Sequence, residues 1–125
     1  MVQTKRQITI LTDLELITCI VQKGCADDIV KAAYEAGAQG ATVNYAHGSG
    51  VREKLGIFGV AVEADKEIIQ IVVASEQINR VFDAMYLAGK LDTPGMGFMY
   101  VTKLQKAATY IPQEVLAKIE AKSHV

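Results

Sequence analysis

The chain alternates strand and helix twice over, and that rhythm restricts its fold more than any other feature. Residues 15–21 (ELITCIV) are apolar and β-branched and run into Gly24, a strand followed by a turn. Residues 26–38 (ADDIVKAAYEAGA) set Ile29, Val30, Ala33 and Ala36 on one helical stripe. Asp27 and Asp28 lie in the first turn, where the helix dipole favours negative charge, and Gly37 can close the end. Residues 40–46 (GATVNYA) form a second strand. The second half repeats the order. Residues 56–62 (GIFGVAV) and 67–74 (EIIQIVVA) are strand-like, an expected hairpin arm and a central strand. Residues 75–89 (SEQINRVFDAMYLAG) are the clearest helix, with Ser75 as expected N-cap and Ile78, Val81, Phe82, Met85 and Ala88 at helical spacing before Gly89. Residues 97–104 (GFMYVTKL) are the last strand. Pro112 then opens a short amphipathic tail, at a position suited to a helix start.

Two β-α-β halves in 125 residues predict one α+β domain, 1–125. The compact solution is a four-stranded antiparallel sheet with two helices on one face, the ferredoxin-like βαββαβ fold. Residues 1–14 are an N-terminal extension, 51–66 an arm between strands, and 112–125 the tail. Helices on one face leave the other bare. Because EIIQIVVA is apolar on both faces, the bare face is expected to be covered by self-association.

A formal net charge of −1 and 50% hydrophobic residues argue against nucleic acid and anionic membrane, both of which attract through excess Lys and Arg. No apolar run approaches the roughly 20 residues of a membrane span, and the N-terminus lacks an A-x-A-like cleavage site. A cytoplasmic location is expected. Cys19 and Cys25 have neither the spacing nor the companions of a metal site. Cys19 is expected as a small core residue and Cys25 as a partly buried thiol near a helix start.

Two glycine loops carry what chemistry the chain offers. A hairpin needs two to five residues, yet residues 44–60 (NYAHGSGVREKLGIFGV) spend four glycines and a charged triplet on the connection. Gly48, Ser49 and Gly50 let backbone N–H groups converge on an anion, and Arg52 and Lys54 could add charge. The alternative is a plain hairpin with a self-compensating triplet. Residues 88–97 (AGKLDTPGMG) follow the second helix. They read either as a helix C-cap with a Pro-Gly turn or as a second glycine–lysine anion loop.

The run LITCIVQKG, ADDIVKAAYEAGAQGATV, HGSG, EIIQIVV and AGKLDTPGMG resembles the PII family of signalling proteins, in particular its PII-like branch. The likeness covers roughly residues 16–106. It implies a homotrimer that binds an adenine nucleotide (ATP, ADP, AMP or cyclic AMP, with magnesium as an optional companion) in clefts between subunits. A mobile, T-loop-like arm would report ligand state to a regulated partner protein, a transporter or an enzyme. By position, Gly48, Ser49, Gly50, Val51 and Arg52 resemble the loop base. Thr42, Gln70, Ile71 and Val72 resemble the adenine side. Gly89, Lys90 and Gly95 resemble the second binding turn, and Lys106 a basic residue reaching over from a neighbour. Glu53, Lys54, Leu55, Ile57 and Phe58 would form the partner-binding tip. The chain departs from the pattern at Met96 and Ala108, where the resemblance would place cations, and its arm has no tyrosine. The competing classes are a small nucleotide hydrolase using His47, Glu53 and Asp92, and a structural or metal-binding trimer using His47 and the cysteines. No catalytic or metal-ligand spacing supports either.

Overall fold

The computed structural model describes residues 7–47 and 65–115. Its elements run β1 (Leu14–Gln22), α1 (Ala26–Glu35), β2 (Thr42–His47), β3 (Asp65–Ala74), α2 (Ile78–Ala88) and β4 (Gly97–Leu104). The sheet order is β2-β3-β1-β4, with every neighbouring pair antiparallel. Each β-α-β unit therefore straddles one strand of the other, which is the expected ferredoxin-like arrangement. The proposed hairpin arm at 56–62 lies outside the described residues.

Strand alternation decides which residues meet the helices. On β1 and β3 the odd-numbered residues Ile17, Cys19, Val21, Ile69, Ile71 and Val73 are buried. They pack with Ala26, Ile29 and Ala33 of α1 and Val81 and Met85 of α2. Each fully buried Ile or Met contributes about 1.5–3 kcal/mol, so these few side chains carry the core. Burial also pushes the Cys19 thiol up to about 12, with Cys25 adding to the effect. At neutral pH Cys19 is an inert core atom.

The even-numbered residues form the open face. Register aligns them into rows: Leu104–Leu14–Ala74, Thr102–Leu16–Val72, Tyr100–Thr18–Gln70–Thr42, Phe98–Ile20–Ile68–Asn44, and Gln22–Lys66–Ala46 at the end. Leu14, Leu16, Ile20, Ile68, Val72, Phe98 and Leu104 make much of this face apolar, with the polar row through Thr18 and Gln70 crossing it. Val72 is 49% exposed and Tyr100 44%. No described helix is long and apolar enough to cross a membrane.

The helix ends differ from expectation in one respect. Ser75 does not cap α2: residues Ser75–Gln77 form a 3-10 turn, Gln77 is the N-cap, and no side chain bonds to that end. The Ser75 N–H instead donates to the Asp13 carbonyl at 2.8 Å, tying the turn to the residue before β1. Helix α1 has no local side-chain cap either. Its N-terminus is satisfied from across the sheet, where the Glu67 carboxylate accepts from the Gly24 N–H at 2.6 Å and the Ala26 N–H at 3.1 Å. A carboxylate meets the orphan donors and the positive end of the helix at once. Glu67 is only 6% exposed, so removing it leaves buried donors unsatisfied. Glu67→Ala is expected to lower unfolding stability in urea by about 1.5–3 kcal/mol, the scale of hydrogen bonds to a charged group. A loss below about 0.5 kcal/mol would show that water replaces the carboxylate.

Candidate functional site

Antiparallel pairing brings the last residues of β1 and β2 and the first of β3 and β4 to one end of the sheet. Gln22 stands opposite Lys66, Ala46 opposite Lys66 on the other side, and Gly97 opposite Val21. The neck of the long loop is therefore the His47–Asp65 pair, the last rung of the β2–β3 ladder. Their side chains meet at 3.3 Å between Nδ1 and Oδ1, and both are well exposed. Lys23, Tyr45, Ala46, His47, Asp65 and Lys66 line an open hollow of about 530 Å³ at this neck. Two lysines, Lys23 and Lys66, line that hollow with one carboxylate, Asp65, so its charge balance leans positive.

The turn after α2 arrives at the same end. Both helices finish with the same backbone device, and the comparison shows what is unusual about the second. At the end of α1 the Ala38 N–H donates to the Ala33 carbonyl and the Gly37 N–H to the Tyr34 carbonyl. At the end of α2 the Leu91 N–H donates to Tyr86 and the Lys90 N–H to Leu87. Each is a Schellman motif, whose key residue adopts a left-handed conformation. In α1 that residue is Gly37, at φ +117°, whereas in α2 it is Lys90, at φ +54°. A left-handed residue with a Cβ costs about 1–2 kcal/mol.

Gly89 does not relieve this, because its own place is set by packing. A Cβ on Gly89 would lie 2.9 Å from Ile29 Cδ1 and 3.3 Å from the Met85 carbonyl. The glycine is spent on helix–helix contact, and the lysine takes the strained position one residue later. Beyond it, Thr93 N–H donates to Lys90 and Met96 N–H to Thr93, and Gly95 adopts φ +80°. Gly97 must be glycine, since a Cβ there would sit 2.7 Å from the Ile20 carbonyl oxygen.

The residues singled out in the sequence fall into three groups. Thr42 and Gln70 are register partners on the open face. Gln70 is four residues along β3 from Lys66, about 13 Å at 3.3 Å per residue. Val72 shares that face two residues further on. Ile71 points the other way, into the core, and is 1% exposed, so only its backbone could face a ligand. Lys90 and Gly95 lie in the turn at the same end of the sheet, with β1 between it and the neck, and Gly89 is buried. Lys106 is exposed at the far end of the sheet, next to Ala107, which exchanges two hydrogen bonds with Leu11. Within one protomer it does not join the others. Gly48, Ser49, Gly50, Val51 and Arg52, and the tip residues Glu53, Lys54, Leu55, Ile57 and Phe58, lie outside the described residues.

The sequence reading did not single out Gln22, Lys23 or Lys66. The signal available was a lysine opening an apolar strand (KEIIQIVV) and a Gln-Lys pair closing another, features that gain meaning only from register. Among the described residues no three His, Cys, Asp or Glu side chains cluster as metal ligands.

The sequence model of the family described as nitrogen regulatory protein P-II matches residues 14–114. The chain belongs to that family. A search of curated proteins returns no match. Among solved structures, the fold resembles the crystal structure of Arabidopsis thaliana PII bound to citrate, with a TM-score of 0.59 and 20% identity over 75% of this chain and 79% of that one. At that identity the likeness speaks to fold. P-II proteins are trimeric regulators rather than enzymes and bind small-molecule effectors.

Lys90 offers a test that separates stability from binding. Lys90→Gly relieves the left-handed strain, and chemical denaturation is expected to show it equal to or up to about 1 kcal/mol more stable than the parent. Gly89→Ala is expected to lose about 1–3 kcal/mol by overpacking against Ile29. A Lys90→Gly variant clearly less stable than the parent would mean that the lysine side chain makes a structural contact.

Proposed function

We propose that this chain is a trimeric, non-catalytic sensor of adenine nucleotides that signals to a partner protein. The observation that carries the reading is the convergence of the loop neck and the strained Lys90 turn at one end of the sheet. The polar Thr42–Gln70 pair lies about 13 Å away on the open face. That spacing suits a nucleotide, with its base toward Thr42, Gln70 and Val72 and its phosphates between the turn at 89–95 and the loop base at 48–52. Membership of the P-II family supports it.

In this reading the cleft is completed by a second copy. The open face is apolar on either side of its Thr18–Gln70 row, and Lys106, beyond the end of β4, is too far from the neck of its own protomer to reach it. A neighbour packed on the open face would supply Lys106 and shelter Val72 and Tyr100 together. The arm, with Glu53, Lys54, Leu55, Ile57 and Phe58, then carries the ligand state to a transporter or enzyme in the cytoplasm. Its apolar residues suit a protein surface better than free solvent. Magnesium could accompany a di- or triphosphate. The citrate in the plant PII structure makes a polycarboxylate a second effector class worth including.

Lys90 holds its strained conformation for a purpose in this scheme: its ammonium faces phosphate, where Lys acts as a point charge. Thermal unfolding with ATP, ADP, AMP, cyclic AMP and GTP, with and without magnesium, tests it. At a hundredfold over the dissociation constant a ligand adds about 2.7 kcal/mol, several degrees for a domain of this size. At least one adenine nucleotide is expected to give that shift, GTP is not, and Lys90→Ala is expected to remove it without phosphate release by either protein. A shift that survives Lys90→Ala would contradict the assignment of the turn. Phe58→Asp is expected to keep the nucleotide shift and to lose capture of the partner.

A further inference from the structure

We infer that Gln22 is the positioning residue that holds the second glycine turn at the loop-neck end of the sheet, and so sets the gap that the phosphates would occupy. This deepens the nucleotide-sensor reading and, in its ligand arm, rests on it. The turn at 90–97 is fixed at both ends by wedged glycines. Gly89 abuts Ile29, and Gly97 abuts the Ile20 carbonyl and Leu91. Between those ends lie two left-handed residues, Lys90 and Gly95, and only two backbone bonds internal to the turn, Thr93 to Lys90 and Met96 to Thr93. Such a segment has few contacts of its own to resist local opening.

Among the described residues, one side chain reaches it by hydrogen bond. Gln22 Nε2 donates to the Gly95 carbonyl at 2.8 Å, in a part-buried bond between residues 73 apart in sequence. Which end of the amide faces Gly95 is fixed by chemistry, because a carbonyl can only accept. The same Gln22 stands in register with Lys66, which is 5% exposed and borders the neck. One residue thus abuts both walls of this end of the sheet: Lys66 through strand pairing, and the Lys90 turn through its amide. A residue so placed does not need to touch a ligand to govern it. Shifting the turn by the length of one lost hydrogen bond moves Lys90 relative to the hollow lined by Lys23, His47 and Lys66.

Gln22→Met keeps length and removes the donor, and two measurements on the intact protein test the inference. Without ligand, amide hydrogen exchange at Thr93 and Met96 is expected to accelerate about five- to tenfold, the scale of one neutral hydrogen bond. Exchange in the core strands at Ile17 and Ile69 is expected to stay unchanged. Unaltered exchange in the turn would overturn the anchoring role. With ligand, affinity for ADP is expected to fall about five- to tenfold on the same scale, while affinity for adenosine, which has no phosphate to meet the turn, is expected to hold. Equal losses for both would reduce Gln22 to a general structural residue and overturn the positioning role. If the parent protein binds neither, the nucleotide reading fails by itself, and the exchange measurement still decides whether Gln22 anchors the turn.

Discussion

A sheet covered on one face only is the constraint on which the rest of this structure depends. Two short helices, α1 and α2, suffice to bury the odd-numbered residues of β1 and β3, while Val72 and Tyr100 on the even-numbered side stay open. Leu14, Leu16, Ile20, Ile68, Val72 and Phe98 are arranged there in rows by strand register. An apolar face of this kind is rarely left to water. P-II family proteins form trimers, and in the proposed reading that assembly would close it. The same closure would turn the ends of three sheets into three clefts, so assembly and ligand binding become one problem.

The second theme is where backbone strain is kept. Helices α1 and α2 end in the same hydrogen-bonding motif, but only α1 gives the left-handed position to glycine. In α2 the glycine is drawn one residue earlier by the close approach to Ile29. A strained non-glycine residue persists where its surroundings over-determine it, and such residues gather at functional sites. Here the surroundings are two wedged glycines and the Gln22 amide, and the strained residue is the cation of the turn. Stability and function are therefore expected to pull in opposite directions at position 90.

Much of the fold was legible in the sequence because it is written in local periodicity. The stripes of Ile29–Ala33 and Val81–Met85, the apolar strands and Gly37 each announce themselves within a few residues, and the β-α-β order then leaves one compact topology. What escaped is non-local. Ser75 looked like an N-cap, yet its N–H answers Asp13 and its hydroxyl caps nothing. The N-terminus of α1 is instead capped by Glu67, more than forty residues away. Gln22 was silent for the same reason: its partner, Gly95, lies 73 residues on. The candidate site divides likewise. Lys90 and Gly95 could be marked as a glycine–lysine turn, but that Lys23, Lys66 and His47 share its end of the sheet follows from register, which composition does not encode.

The most direct test of this account is the mass of the untagged protein by sedimentation equilibrium at micromolar concentration, for the parent and for Val72→Asp. The account predicts three copies of the 13.5 kDa chain for the parent. It predicts a single folded copy that no longer binds nucleotide when a carboxylate is placed on the open face. A parent that sediments as a monomer, or a monomeric variant that binds nucleotide as tightly as the parent, would contradict the claim that the open face both makes the assembly and completes the cleft.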